Sequence, residues 1–240
     1  MQVTKLLASI ALVAVAASAR ADLTIVQEVQ GAPGASGQMT VNVKGDRARI
    51  DASPKMTMII DSKAGSMINM MNDQKKFIRM PSDAMHAAAG HPQNSPSPAP
   101  KLTPTENHEK INGYDTTEYV FETPQYKASY WIATNYPDSA AIMTDLQRLS
   151  NQALGPASGG MPNYRDFPGI PLRTRLTIGK AQVVSTVKSI SRDSLPDSLF
   201  TPPSDFQEIK MGDMAKMLGK PATAPKPADA PKPAAPPPKP

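Results

Sequence analysis

The sequence has no cysteine. This excludes disulfides, thiol catalysis, thiolate metal sites and a lipid carried on cysteine. Aromatic residues make up 5% of the chain, too few stacking platforms for a single-strand nucleic-acid groove. There are 3 histidines, and no G-x-S-x-G, H-E-x-x-H, P-loop or dinucleotide-binding glycine motif occurs, so the sequence assigns no catalytic residue, metal ligand or cofactor. An excess of one charge sign is also lacking where it would matter. The formal net charge is +5, but Lys5 and Arg20 lie near the start, and Lys220, Lys226, Lys232 and Lys239 near the end. With these cations and Asp229 set aside, cations and anions between Asp22 and Gly219 are equal in number. A phosphate-binding surface needs a local cationic excess, so nucleic acid is not an expected partner.

What is present begins with a leader. Met1 to Ala21 combines basic Lys5, the apolar stretch LLASIALVAVAASA and small residues Ala19 and Ala21 around Arg20, the pattern of a cleavable secretory signal. The stretch is shorter than the ~20 residues of a membrane span. The expectation is export, cleavage after Ala21, a mature chain in the periplasm or outside the cell, and no stable membrane insertion. Residues 220–240 contain only Pro, Ala, Lys, Thr and Asp, so a disordered polyproline-like tail is expected, reaching roughly 65 Å at ~3.1 Å per residue. Such a tail suits contact with the cell envelope. A second Pro- and Ser-rich segment, 81–104, reads as a mobile surface loop inserted in the 22–219 domain.

Between these segments the apolar period is two. In QMTVNVK, Met39, Val41 and Val43 alternate with polar residues, and RARID, MTMIID, SMINMM and KKFIRM follow, each set off by a turn. Asn112-Gly113 is the strongest hairpin signal in the chain, because both positions tolerate positive φ. Beyond it run YDTTEYVFE, YKASYWIAT, LRTRLTI and AQVVSTVKSI. One stretch, 138–154, has helical spacing instead, with Ile142, Leu146, Leu149 and Ala153 on one face and Asp138 or Ser139 as cap. A helix of ~16 residues is roughly 24 Å long and crosses about five strands at ~4.8 Å. About eleven one-sided strands exceed that cover, so the expected fold is mainly β (α+β): a curved antiparallel sheet or unclosed half-barrel with a helical lid.

The candidate ligand-binding residues are the apolar stripe Met39, Val41, Val43, Met56, Met58 and Ile60, with Trp131. Thioethers adapt to varied apolar ligands, and 14 methionines are present. A stripe of this kind also serves as ordinary core. Met211, Met214 and Met217, with Met85, His86 and His91, form a second set whose thioethers suit Cu(I), although a short helix docking its apolar side has the same spacing. His108 near Glu106 and Glu109 reads as exposed. Glu118 and Glu122 read as the wet face of a strand, and the glycine-rich GAPGASG as a hairpin loop.

INGYDTTEYVF, YWIAT, FPGIPLRTRLTI, VVSTVKSI and LPDSLFTPPSDFQEI resemble the successive motifs of an uncharacterised family of secreted bacterial domains, itself similar in pattern to the envelope proteins LolA, LolB and LppX. The resemblance spans nearly all of 22–211. It implies a half-barrel of about eleven strands with a helical lid, which some relatives use to hold acyl chains. It also implies that Phe200 and Phe206 plug the barrel end, and that Pro202 and Pro203 stop the edge strand from pairing further. LolB's lipid anchor has no counterpart, and no arginine matches LolA's internal one, since Arg47 and Arg49 alternate with Ala48 and Ile50. The expected function is non-enzymatic binding of a lipid, a lipoprotein acyl chain or an envelope partner. The alternatives are a periplasmic copper-binding protein and a structural spacer acting through the Pro-Lys tail.

Overall fold

A computed structural model describes residues 22–31, 36–81, 101–124, 126–153, 162 and 164–210. The leader, the 220–240 tail, most of the 81–104 segment and the Met85, His86, His91, Met211, Met214 and Met217 set lie outside the described residues. The strands are β1 (Leu23–Gln30), β2 (Gly37–Lys44), β3 (Arg47–Ser53), β4 (Met56–Asp61), β5 (Ser66–Met71), β6 (Lys76–Pro81), β7 (Thr103–Ile111), β8 (Tyr114–Glu122), β9 (Lys127–Ala133), β10 (Ile170–Ile178), β11 (Ala181–Ser191) and β12 (Gln207–Glu208). Among the described residues one α-helix, α1 (Ser139–Ala153), lies between β9 and β10. All twelve strands form one sheet in the order β12-β6-β5-β4-β3-β2-β1-β11-β10-β9-β8-β7.

Two meanders, β1 to β6 and β7 to β11, therefore join where β1 pairs with β11. The turn residues explain the tight connections. Asn112 and Gly113 both have positive φ, 52° and 85°, so Ile111 and Tyr114 pair across a two-residue loop. Gly31 follows β1 with φ 94°, and a Cβ there would collide with the Gln182 carbonyl. The pairing of Val29 with Gly37 shows that GAPGASG does link a hairpin. Register shifts at Val26/Gln27, Asp51/Ser53, Pro104/His108 and Pro171/Arg173 interrupt the ladders. Such bulges bend and twist a strand, and the sheet is curved and unclosed.

The helix covers the concave face. Ile142 is 1% exposed, and Met143, Leu146 and Leu149 pack beside it on a cluster that includes Leu23, Ile25, Val41, Val43, Ile60 and Leu172. Two polar ties fix its span. Asp145 accepts from Arg192, just past β11, at 2.7 Å, and Arg148 donates to the Gly45 carbonyl in the β2–β3 turn at 3.4 Å.

The convex face carries a second core. Ile59, Ile68, Met70 and Phe77 point away from the helix and are covered by Phe200, 5% exposed, with Leu195, Leu199 and Phe206. Phe200 and Phe206 thus belong to a strap across the back of the sheet, where a plug in the barrel end was expected. Cations between the concave-facing residues of β2 and β3 hold it. Lys44 donates to the Leu195 carbonyl, Arg47 binds Asp197 at 2.5 Å and sits over the Phe200 ring, and Arg49 donates to the Leu199 carbonyl at 3.1 Å. Pro202 and Pro203 do not stop pairing either. They turn the strap, and β12 then runs parallel to β6 with Gln207 opposite Lys76. The segment closes the fold from the convex side.

Candidate functional site

The concave face continues onto β4, β5 and β6. Alternation places Met56, Met58 and Ile60 on one side of β4. Register then sets Met71 opposite Met56, Met67 opposite Ile60, and Met80 opposite Met67. Five thioethers therefore share this end of the trough. Their burial is graded: Met67 is 4% exposed, Met58 and Met80 are half-buried against the main core, Met71 is half-buried, and Met56 is 53% exposed. The helix α1 is tied at Arg192, just past β11, and at the β2–β3 turn.

Of the sequence candidates, the structure brings Val41, Val43, Met58, Ile60 and Trp131 into the main core cluster. Val41 and Val43 are closed beneath the lid region. Met39, opposite Gln27, is half-buried and stands outside that cluster, and Met56 stands at the outer rim of the shelf. Met67, Met71 and Met80 were not singled out from the sequence. Their signal was the same period-two pattern in SMINMM and KKFIRM, which needed the register with β4 to locate them.

A second constellation surrounds Trp131. Arg173 and Glu118 are its direct cross-strand partners, so all three share a face. The guanidinium carbons of Arg175 and Arg173 lie 4.8 and 5.6 Å from the indole centroid. Arg173 is committed elsewhere: it bonds Glu109 at 2.6 Å and Thr186 at 3.4 Å. Glu118, expected on a wet face with Glu122, is only 8% exposed. Edge strand β7 bulges between Pro104 and His108 and folds Asn107 and Thr105 over it, giving hydrogen bonds of 2.6 and 3.5 Å. The Asn107 bond above all holds the Glu118 carboxyl below the usual carboxylate range. Ser129, Arg175 and Thr105 act in the same direction, and burial opposes them. Glu122 does stay exposed, paired with Lys127 at 3.6 Å.

His108 lines an open groove of about 410 Å³ with Glu109, Lys110, Asp115 and Thr117, floored by Ile132. Its ring nitrogen Nδ1 lies 3.1 Å from the Thr117 hydroxyl, while Glu109 is held by Arg173, so no acid–base pair forms there. Among the described residues no group of three or more His, Asp or Glu side chains is placed to hold a metal ion. No described helix is long and apolar enough to cross a membrane.

Comparison with known proteins now adds a family. Residues 26–206, nearly the whole described fold, match the model of the domain of unknown function DUF4412. The chain belongs to the DUF4412 family. No curated protein matches it. Among solved structures, the DUF4412 chain is similar to lipoprotein LppX of Mycobacterium tuberculosis, at 9% identity and TM-score 0.42, covering 73% of this chain and 88% of that one. LprF from Mycobacterium bovis is similar at 12% identity and TM-score 0.31, covering 77% and 89%. PNGF-II is similar at 13% identity and TM-score 0.41 over 82% of this chain, which spans 33% of the length of PNGF-II.

Proposed function

We propose that this DUF4412 protein is an exported, non-enzymatic carrier that seats the acyl chain of a lipid or lipoprotein on the concave face of β4 to β6. The observation that carries this reading is the graded methionine shelf. A sheet end that served only as core would close its thioethers, whereas here Met58, Met71 and Met80 are half-buried and Met56 is exposed, on the same face as the closed core. Flexible thioethers accept apolar guests of varied shape, and the closed part of the trough beneath α1 supplies a rigid back wall. The signal-like leader supports export, and cleavage after Ala21 leaves Asp22, whose carboxylate accepts from the Leu195 amide at 2.8 Å, as the first residue of the mature fold.

A magnitude sets the expected ligand. Each methylene removed from water contributes about 0.8 kcal/mol, while association costs at least ~4 kcal/mol. Chains below about six carbons are therefore expected not to bind, and affinity is expected to rise about fourfold per added methylene. Displacement of a fluorescent fatty acid by a homologous series of fatty acids tests this. In the Met56→Gln/Met71→Gln variant affinity is expected to fall on the order of tenfold, about 1.4 kcal/mol, with Tm unchanged. A chain-length-independent response, or equal affinity in the variant, contradicts the reading.

A further inference from the structure

We infer that Arg175, stacked on Trp131, is a receptor for an anionic oxygen group, a carboxylate or a phosphate ester. Two arginines face one indole, and only one of them is spoken for. Arg173 has Glu109 and Thr186 as partners. Arg175 is half-buried and has no hydrogen bond or ion pair among the described residues, and its Nε is sealed from solvent without an acceptor. An unmet donor of this kind costs about 1–3 kcal/mol, and a guanidinium presents five donors in a planar fork suited to carboxylate or phosphate oxygens.

The surrounding charges explain why the site stays empty of protein groups. Glu118 shares the face and offsets the charge of Arg175, while its Oε2 accepts from both Asn107 and Thr105. Ser129, directly opposite Arg175, is 6% exposed and bonds Glu118 as well. Glu109 is held by Arg173. The carboxylates thus make a cationic position tolerable without consuming its donors, and the indole fixes the plane of the guanidinium. Trp131 also belongs to the apolar cluster that backs the trough, so an anion held here is joined to apolar surface.

The anion has two possible sources, the headgroup of an amphiphile seated in the trough or a free anion, and the first rests on the carrier reading above. Trp131 is the single tryptophan of the chain, so its emission reports directly on this position. Inorganic phosphate, dodecanoate and uncharged dodecanol are titrated against the full mature chain at constant ionic strength, with Arg175→Gln and the stem-preserving Arg175→Met as variants. A saturable emission change with inorganic phosphate, lost in both variants, supports the receptor with a free anion as source. A change with dodecanoate alone, with wild-type preference for dodecanoate over dodecanol on the order of tenfold that falls to about one in both variants, supports it with a headgroup as source. Equal response in wild type and variants, or no response to either anion, overturns the receptor. Dodecanol keeps the two readings separable. If it binds while neither anion is preferred, the carrier stands and the receptor fails. If phosphate alone is bound, the receptor stands and the carrier fails.

Discussion

At the residue scale, the chemistry of the fold is set by which polar side chains have been taken out of water. Glu118 illustrates the rule. In the sequence it alternates with Thr117 and Tyr119 as a solvated strand residue does, and only the bulge that drapes Asn107 and Thr105 over it turns it into a buried acceptor. Sequence patterning registers alternation along a strand but not coverage by a neighbouring strand, which is why the Trp131 constellation was invisible while Trp131 itself was noticed. Since the folded Glu118 pKa is depressed, chiefly by the Asn107 hydrogen bond, its stabilising contribution is present above the unfolded value of about 4.3 and is lost as pH falls through the lower folded value. The Asn107→Ala variant is expected to raise the Glu118 pKa and move the acid limb of the stability profile to higher pH. Carboxyl carbon chemical shifts followed by NMR across an acid titration measure this, and an unmoved titration contradicts the assigned cause.

At the scale of elements, the strap and the lid close opposite faces of one sheet. Strands such as β2 to β6 and β8 to β11, and α1, were legible because each carries its period, two or 3.6, whereas β7 is polar along most of its length and its first residues, Thr103 and Pro104, fall in the segment read as a mobile loop. β12 was not, because two residues after a pair of prolines carry no period at all, and the strap's seat on the convex face depends on Ile59, Ile68, Met70 and Phe77 being apolar on the side away from the lid. Removing the Phe200 ring is expected to cost about 3–5 kcal/mol of unfolding free energy, read from urea titrations, and Ile142→Ala beneath the lid about 2–5 kcal/mol. Near-wild-type stability in Phe200→Ala would mean that the strap does not seal the back of the sheet. Arg47 tunes the strap electrostatically. Its hydrogen bond is the first cause holding Asp197 below the usual carboxylate range, with Lys44 adding to it. The tie is therefore present above pH about 3.9 and loosens as pH falls through the lower folded value. Amide exchange at Leu199 and Gln207 is expected to quicken in Arg47→Ala at neutral pH, and equal protection in both proteins contradicts that role.

At the scale of the whole molecule, the proposed carrier role rests on the curvature of the sheet and the graded burial of its methionines. One helix of this length cannot cover so many one-sided strands, and the methionines of β4 to β6 keep graded exposure, from Met67 at 4% to Met56 at 53%. Of the candidate residues, Val41 and Val43 are buried with Ile142, while Met58 is half-buried and Met56 is exposed. No single strand records that division in its own sequence. Among the described residues the last strand is β12, ending at Glu208, and deletion of 220–240 is expected to leave Tm and ligand affinity unchanged and to reduce co-sedimentation with envelope fractions. Equal sedimentation with and without the tail contradicts a tethering role.

The most direct measurement of the central claim is native mass spectrometry of the protein purified without detergent from the compartment to which it is exported. The expected spectrum shows the chain beginning at Asp22 with one amphiphile of discrete mass bound, lost in the Met56→Gln/Met71→Gln variant. A bare chain in every charge state, from a preparation that also fails to take up a fluorescent fatty acid, would show that the exposed thioethers of β4 to β6 are not a ligand seat.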